Sequence, residues 1–93
     1  MPFDYDFTEK LKDIIDKLSK RDQKKADIIY KKVKQIINSD ELTIENYKNL
    51  RHGFSDRKRA HINKSFVLTF KYDRKRKFIL FLDFDHHDNI YKE

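Results

Sequence analysis

The sequence has no cysteine, a single glycine, and no apolar stretch near the roughly 18 residues that a membrane-spanning helix requires. Without cysteine there are neither disulfides nor thiolate metal sites, which fits a reducing cytosol, so a cytoplasmic location is expected. The opening "MPFDYDFTEK" brings acids early and no apolar run, so no signal peptide and no membrane association is expected. Repeats, linkers and low-complexity segments are likewise missing. The chain of 93 residues therefore reads as one domain, 1–93, because a protein of this size buries only roughly 60 to 65 % of the surface its unfolded form exposes.

Charge and large apolar side chains are both plentiful. Charged residues make up 41 % of the chain, yet eight Phe, five Tyr and many Ile and Leu supply a core, so the composition is that of a folded protein. The net charge of +6 is unevenly placed. Residues 1–46 hold ten basic and ten acidic side chains, whereas 47–77 hold eleven against two and 78–93 one against four. A basic segment is thus followed by an acidic, histidine-bearing end.

Periodicity gives the order of elements. "PFDYDF" alternates Phe3, Tyr5 and Phe7 with acids, as a strand with one buried face does. Asp6 stands three residues before Glu9, a capping-box-like start, and Leu11, Ile14, Ile15 and Leu18 then predict a helix over about 8–20. Asp22 is placed to cap a second helix carrying Ala26, Ile29, Tyr30, Val33, Ile36 and Ile37. Residues 39–56, which contain Gly53, read as a loop with a turn of helix near Thr43 to Tyr47. "RKRAHIN", "FVLTFKY" and "KFILFLDF" follow as a meander, the last apolar on both faces and so central in the sheet, joined to its predecessor by "DRKR". The expected fold class is α+β, in the order β-α-α-β-β-β, with a helical hairpin packed on a mainly antiparallel four-stranded sheet.

Three kinds of chemistry fit the second half. In a strand, Arg57, Arg59 and His61 share one face and Lys58 lies on the other with Ala60 and Ile62. With Arg51, Lys64 and the turn residues Arg74, Lys75, Arg76 and Lys77 they can meet several phosphates, or they can form a solvated face. In "DFDHHDNIY", Asp83, Asp85 and His87 share one face of a continuing strand while His86 looks the other way, a pattern that suits a divalent ion or a polar sheet edge. The neighbouring strand offers Val67, Thr69 and Lys71 rather than further acids, and a lysine disfavours a cation. The third possibility is RNA cleavage without metal. RNA carries its own nucleophile, the 2′-hydroxyl, so alignment, a base, an acid and charge stabilisation suffice. His61, His86, His87 and Tyr91 are the candidates, since a histidine with a reference pKa of about 6.5 serves as either acid or base.

The last 47 residues, with a Leu-Arg loop around Gly53, a basic strand, "FVLTFKYD", an apolar strand and a histidine followed by "IY", resemble the RelE, YoeB and YafQ toxins of the RelE/ParE superfamily. The helical hairpin before them also fits that family's order of elements. The resemblance implies a type II toxin: an endoribonuclease, or mRNA interferase, that cuts messenger RNA by 2′-hydroxyl attack, usually on the ribosome, with no cofactor or metal. It also implies a RelB-like antitoxin, acidic and partly disordered when free, in a hetero-oligomer with the toxin; such a partner suits the +9 of residues 47–77.

Carried over by position, "RAHI" resembles the YafQ pattern and makes His61 catalytic. His87 falls on that subgroup's terminal histidine, Tyr91 on the functional aromatic residue of RelE, and Lys58 on a RelE strand lysine. Other family positions are changed: the second RelE lysine falls on Ala60, two RelE arginines on Val67 and Asp85, and two YafQ aspartates on Arg59 and Ser65. The expected constellation is therefore His61, His87 and Tyr91 as catalytic residues, with Arg51, Arg57, Lys58, Arg59 and Lys64 contacting RNA. A ParE-like topoisomerase inhibitor and a member that binds RNA without cutting it are the alternatives.

Overall fold

The computed structural model describes residues 2–50 and 56–90. Its elements are β1 (Asp4–Phe7), α1 (Glu9–Arg21), α2 (Gln23–Ile37), α3 (Glu41–Asn46), β2 (Lys58–Ile62), β3 (Phe66–Asp73), β4 (Phe78–His86) and α4 (His87–Ile90). The expected order is present with two short additions. The helical turn in the connecting segment is α3, and the chain turns helical again after His86 instead of continuing as a strand.

Each of α1, α2 and α3 begins where a side-chain oxygen can satisfy a free backbone N–H. For α1 that residue is Thr8, whose hydroxyl accepts from the Leu11 N–H at 3.2 Å. Asp6, the residue expected from the sequence, lies inside β1, and its carboxylate accepts from the adjacent Phe7 N–H at 2.8 Å. Asp22 does cap α2, accepting from the Lys25 N–H at 3.2 Å, while its own N–H donates to Leu18 at 2.7 Å. One residue thus ends α1 and starts α2, which makes the hairpin tight.

The sheet order is β1-β4-β3-β2, with β1 parallel to β4 and the other pairs antiparallel. Leu11 and Ile15 of α1 and Ile29, Val33 and Ile36 of α2 pack on Ala60, Ile62, Leu68, Phe70, Ile79, Phe81 and Phe84 from one face of the sheet. Phe70 and Phe81 are fully buried there, and burying such a side chain contributes about 1.5–3 kcal/mol. Tyr5, by contrast, is 47 % exposed, because β1 is an edge strand.

One irregularity decides what the other face carries. Thr69 pairs with Asp83 but Phe70 pairs with Phe81, so Leu82 is an extra residue in β4. Side chains alternate along a strand, and an inserted residue reverses the alternation beyond it. Ile79 and Phe81 face the helices before the bulge and Phe84 does after it, which sends Asp83 and Asp85 to the opposite face. The Leu82 carbonyl accepts from the Thr8 hydroxyl at 2.7 Å, so the α1 cap also satisfies the bulge.

Candidate functional site

The face away from the hairpin is arranged in cross-strand rows. His61 of β2 pairs with Val67 of β3, and Val67 with Asp85 of β4; one step along, Arg59, Thr69 and Asp83 form the next row. Val67 and Thr69 are almost fully buried at the centre, beside these polar neighbours. The Thr69 hydroxyl, which would otherwise be stranded, donates to the Asp83 carbonyl at 3.4 Å.

His87 reaches this face from the start of α4. Its backbone N–H donates to Ser65 in the β2–β3 turn at 2.6 Å, and its ring centroid lies 6.1 Å from that of His61. Both rings are solvent-accessible, and His87 also lies 3.5 Å, Nδ1 to Oδ1, from Asp88. Lys64 is exposed in the same turn that receives the His87 N–H, and Arg57 precedes Arg59 and His61 by two and four residues. Strand parity therefore brings together His61 and Arg59, the chain reversal after β4 adds His87, and Arg57 lies just before the start of β2.

His86 faces the hairpin, as its parity requires. Its ring meets Phe66 edge-on at 5.6 Å, Phe66 stacks on Phe84 at 5.2 Å, and the Lys25 ammonium sits 4.1 Å from the Phe66 centroid. The Nδ1 of His86 accepts from the Asp88 N–H at 3.2 Å.

The acids of "DFDHHD" are dispersed to separate partners. Asp83 is 3.0 Å from the Lys10 ammonium of α1, and Asp85 accepts from the Asn89 side chain at 3.1 Å. Among the described residues no group of three or more His, Asp or Glu is placed to hold a metal ion. Periodicity does not reveal Lys10, which is 73 residues from its partner; Asn89, four residues after Asp85, has a spacing that a helical turn brings together.

Lys58 stands apart from the other residues expected to contact RNA. It shares the hairpin side with Ala60 and Ile62, and its ammonium donates to the carbonyls of Glu45 (3.3 Å) and Tyr47 (3.1 Å) and to the Asn49 side chain (3.2 Å). A cation at the C-terminal carbonyls of α3 complements the helix dipole and ties this segment to β2. Arg74 makes a two-pronged pair with Glu45 (2.9 and 3.3 Å), Lys77 pairs with Glu41 and Arg76 with Asp73, so the β3–β4 turn is largely charge-balanced. At the same end Lys71 lies 3.1 Å from Asp56. Hydrogen bonds from Arg74 and Lys71 hold the carboxyls of Glu45 and Asp56 below their ordinary ranges. The turn follows Asp73, seven residues along β3 from Phe66, or about 23 Å from the histidines. Arg51 and Tyr91 lie outside the described residues.

A protein of Methanocaldococcus jannaschii named "Putative toxin RelE4" is 48 % identical over 91 residues, 98 % of this chain and 93 % of that protein. The chain belongs to the RelE toxin family. Solved structures agree on the fold: YafQ of Escherichia coli matches with a TM-score of 0.69 at 15 % identity, covering 97 % of this chain and 99 % of YafQ. The RelBE2 toxin-antitoxin complex of Mycobacterium tuberculosis matches with a TM-score of 0.62 at 20 % identity, covering 94 % of this chain and 100 % of that one. No family model matches the chain. Among the described residues of this RelE-family protein, no helix is long and apolar enough to cross a membrane.

Proposed function

We propose that this protein is the toxin of a type II toxin–antitoxin system and a cytoplasmic endoribonuclease that cleaves messenger RNA, on the ribosome, without metal. The supporting observation is the pair His61 and His87, 6.1 Å apart on a face that also holds Arg59, with Arg57 just before the same strand. A general acid or base works within roughly 2.6–3.2 Å of its oxygen, so two rings at this separation can serve the two oxygens of one phosphodiester. One imidazole takes the 2′-hydroxyl proton as the O2′–P bond forms. The other gives a proton to O5′ as the P–O5′ bond breaks, leaving a 2′,3′-cyclic phosphate and a 5′-hydroxyl. Arg57 and Arg59 offset the charge on the phosphorane oxygens, and Lys64 meets an adjacent phosphate.

Tyr91 keeps its proposed catalytic place and Arg51 its RNA contact, both from the family resemblance. Lys58 is given no phosphate, because its ammonium already has three oxygen partners. The partner we propose is a RelB-like, acidic antitoxin, by analogy with the Mycobacterium tuberculosis complex and in keeping with the basic segment 47–77.

A positioned acid or base is worth roughly 10² to 10⁴ in rate. His61→Ala and His87→Ala should each reduce cleavage of ribosome-bound message by at least about tenfold, with circular dichroism unchanged. Undiminished cleavage in both variants would sink the assignment, and inhibition of topoisomerase supercoiling by the wild type would favour the ParE-like alternative.

A further inference from the structure

Asp85 occupies a position where the family resemblance leads to an arginine, and its contacts point to a different task. We infer that Asp85 is a positioning residue: through Asn89 it holds α4 against the end of β4 and so sets where the His87 ring stands relative to His61. The inference rests on the reading of these two histidines as the acid–base pair.

A helix of four residues cannot support itself, since isolated helices shorter than about 12–15 residues are marginal in water. The placement of α4 is therefore set by its ties to the sheet. Two use backbone donors, His87 N–H to Ser65 at 2.6 Å and Asp88 N–H to His86 Nδ1 at 3.2 Å. The third joins side chains: Asn89 Nδ2 donates to Asp85 Oδ1 at 3.1 Å, and the same oxygen accepts from the His86 N–H at 2.7 Å. Asp85 belongs to the cross-strand row that begins with His61, so one row carries one histidine and fixes the mount of the other. An arginine here offers no acceptor to Asn89.

The experiment compares Asp85→Ala, Asn89→Ala, Asp85→Asn and the double alanine variant in the full chain. Each single alanine change should lower kcat for RNA cleavage by about fivefold to tenfold, with KM within about twofold, because a displaced acid or base weakens the chemical step more than binding. Asp85→Asn should stay within about twofold of wild type, since its amide oxygen still accepts from Asn89. The double variant should be no worse than either single one, as for two ends of one contact. A proton nuclear Overhauser effect between the His61 and His87 rings should be present in wild type and lost in Asn89→Ala. Retention of both that signal and kcat in Asn89→Ala overturns the inference, as does an Asp85→Asn variant as slow as Asp85→Ala. If the wild type cuts no RNA, the nuclease reading fails, and the ring-to-ring signal still decides the clamp.

Discussion

On one face of the sheet, Phe70, Phe81 and Phe84 interlock with two amphipathic helices; on the other, Val67 and Thr69 sit between rows of Arg, His and Asp. Both faces are cut from the same three strands, β2, β3 and β4. The covered face is specified by apolar volume, and any change there is felt as stability. The other face is specified by register, because what matters is which polar residue stands opposite which. The molecule separates its apolar packing from its polar rows by sheet face, and Leu82 is where the division in β4 is made.

Exchanging the residues at positions 83 and 84, Asp83→Phe together with Phe84→Asp, attacks this division most directly. The bulge holds position 84 toward the helices, so the exchange places a carboxylate beside Leu68 without a partner for its charge. The expected outcome is loss of cooperative thermal unfolding, whereas Leu82→Ala, which leaves both residues in place, retains the fold. An exchange variant that melts like wild type would show that the bulge does not set the faces.

Single substitutions on the two faces sharpen the contrast. Phe70→Ala should cost about 3–5 kcal/mol in urea unfolding, while Arg59→Ala should cost about 1 kcal/mol or less. Arg59→Ala should instead weaken RNA binding and reduce its log–log salt dependence by about 0.7, the contribution of one phosphate on a single strand. Equal losses of stability from both variants would erase the distinction.

The smallest effect concerns pH. Glu45 and Asp56 are held below ordinary values of 4.5 and 3.8 by hydrogen bonds from Arg74 and Lys71. A depressed folded-state value contributes stability that is present above the unfolded value and is lost as pH falls through the folded one. Both carboxyls are exposed, so Tm should decline slightly below pH 4.5, less so in high salt. The double change Glu45→Gln and Asp56→Asn should flatten that decline; an identical acid profile counts against these pairs.

Much of this was legible in the sequence, for identifiable reasons. Leu11, Ile15, Ala26, Ile29, Val33 and Ile36 repeat at helical spacing and are buried. Asp22 announces the second helix because its spacing to the apolar stripe is clear. Thr8 was eclipsed by Asp6, since pattern alone does not show that Asp6 is already committed to β1. The parity of Asp83, Asp85 and His86 was readable, but the bulge was not, because Leu82 is one more apolar residue in an apolar strand. The place of Lys58 was hidden for another reason: two of its partners are main-chain carbonyls, which leave no mark on the side-chain pattern.

The extra residue in β4 also bears on how chains of this kind are to be matched with one another. Between two homologues that bulge at the same place, equivalent residues lie on equivalent faces, and roles can be transferred position by position. Where one lacks the insertion, the side chain on the exposed face is the sequence neighbour of the one an ungapped alignment selects. An acid found against an arginine is then a matter of phase as much as of substitution, and only superposition of the strands tells the two apart.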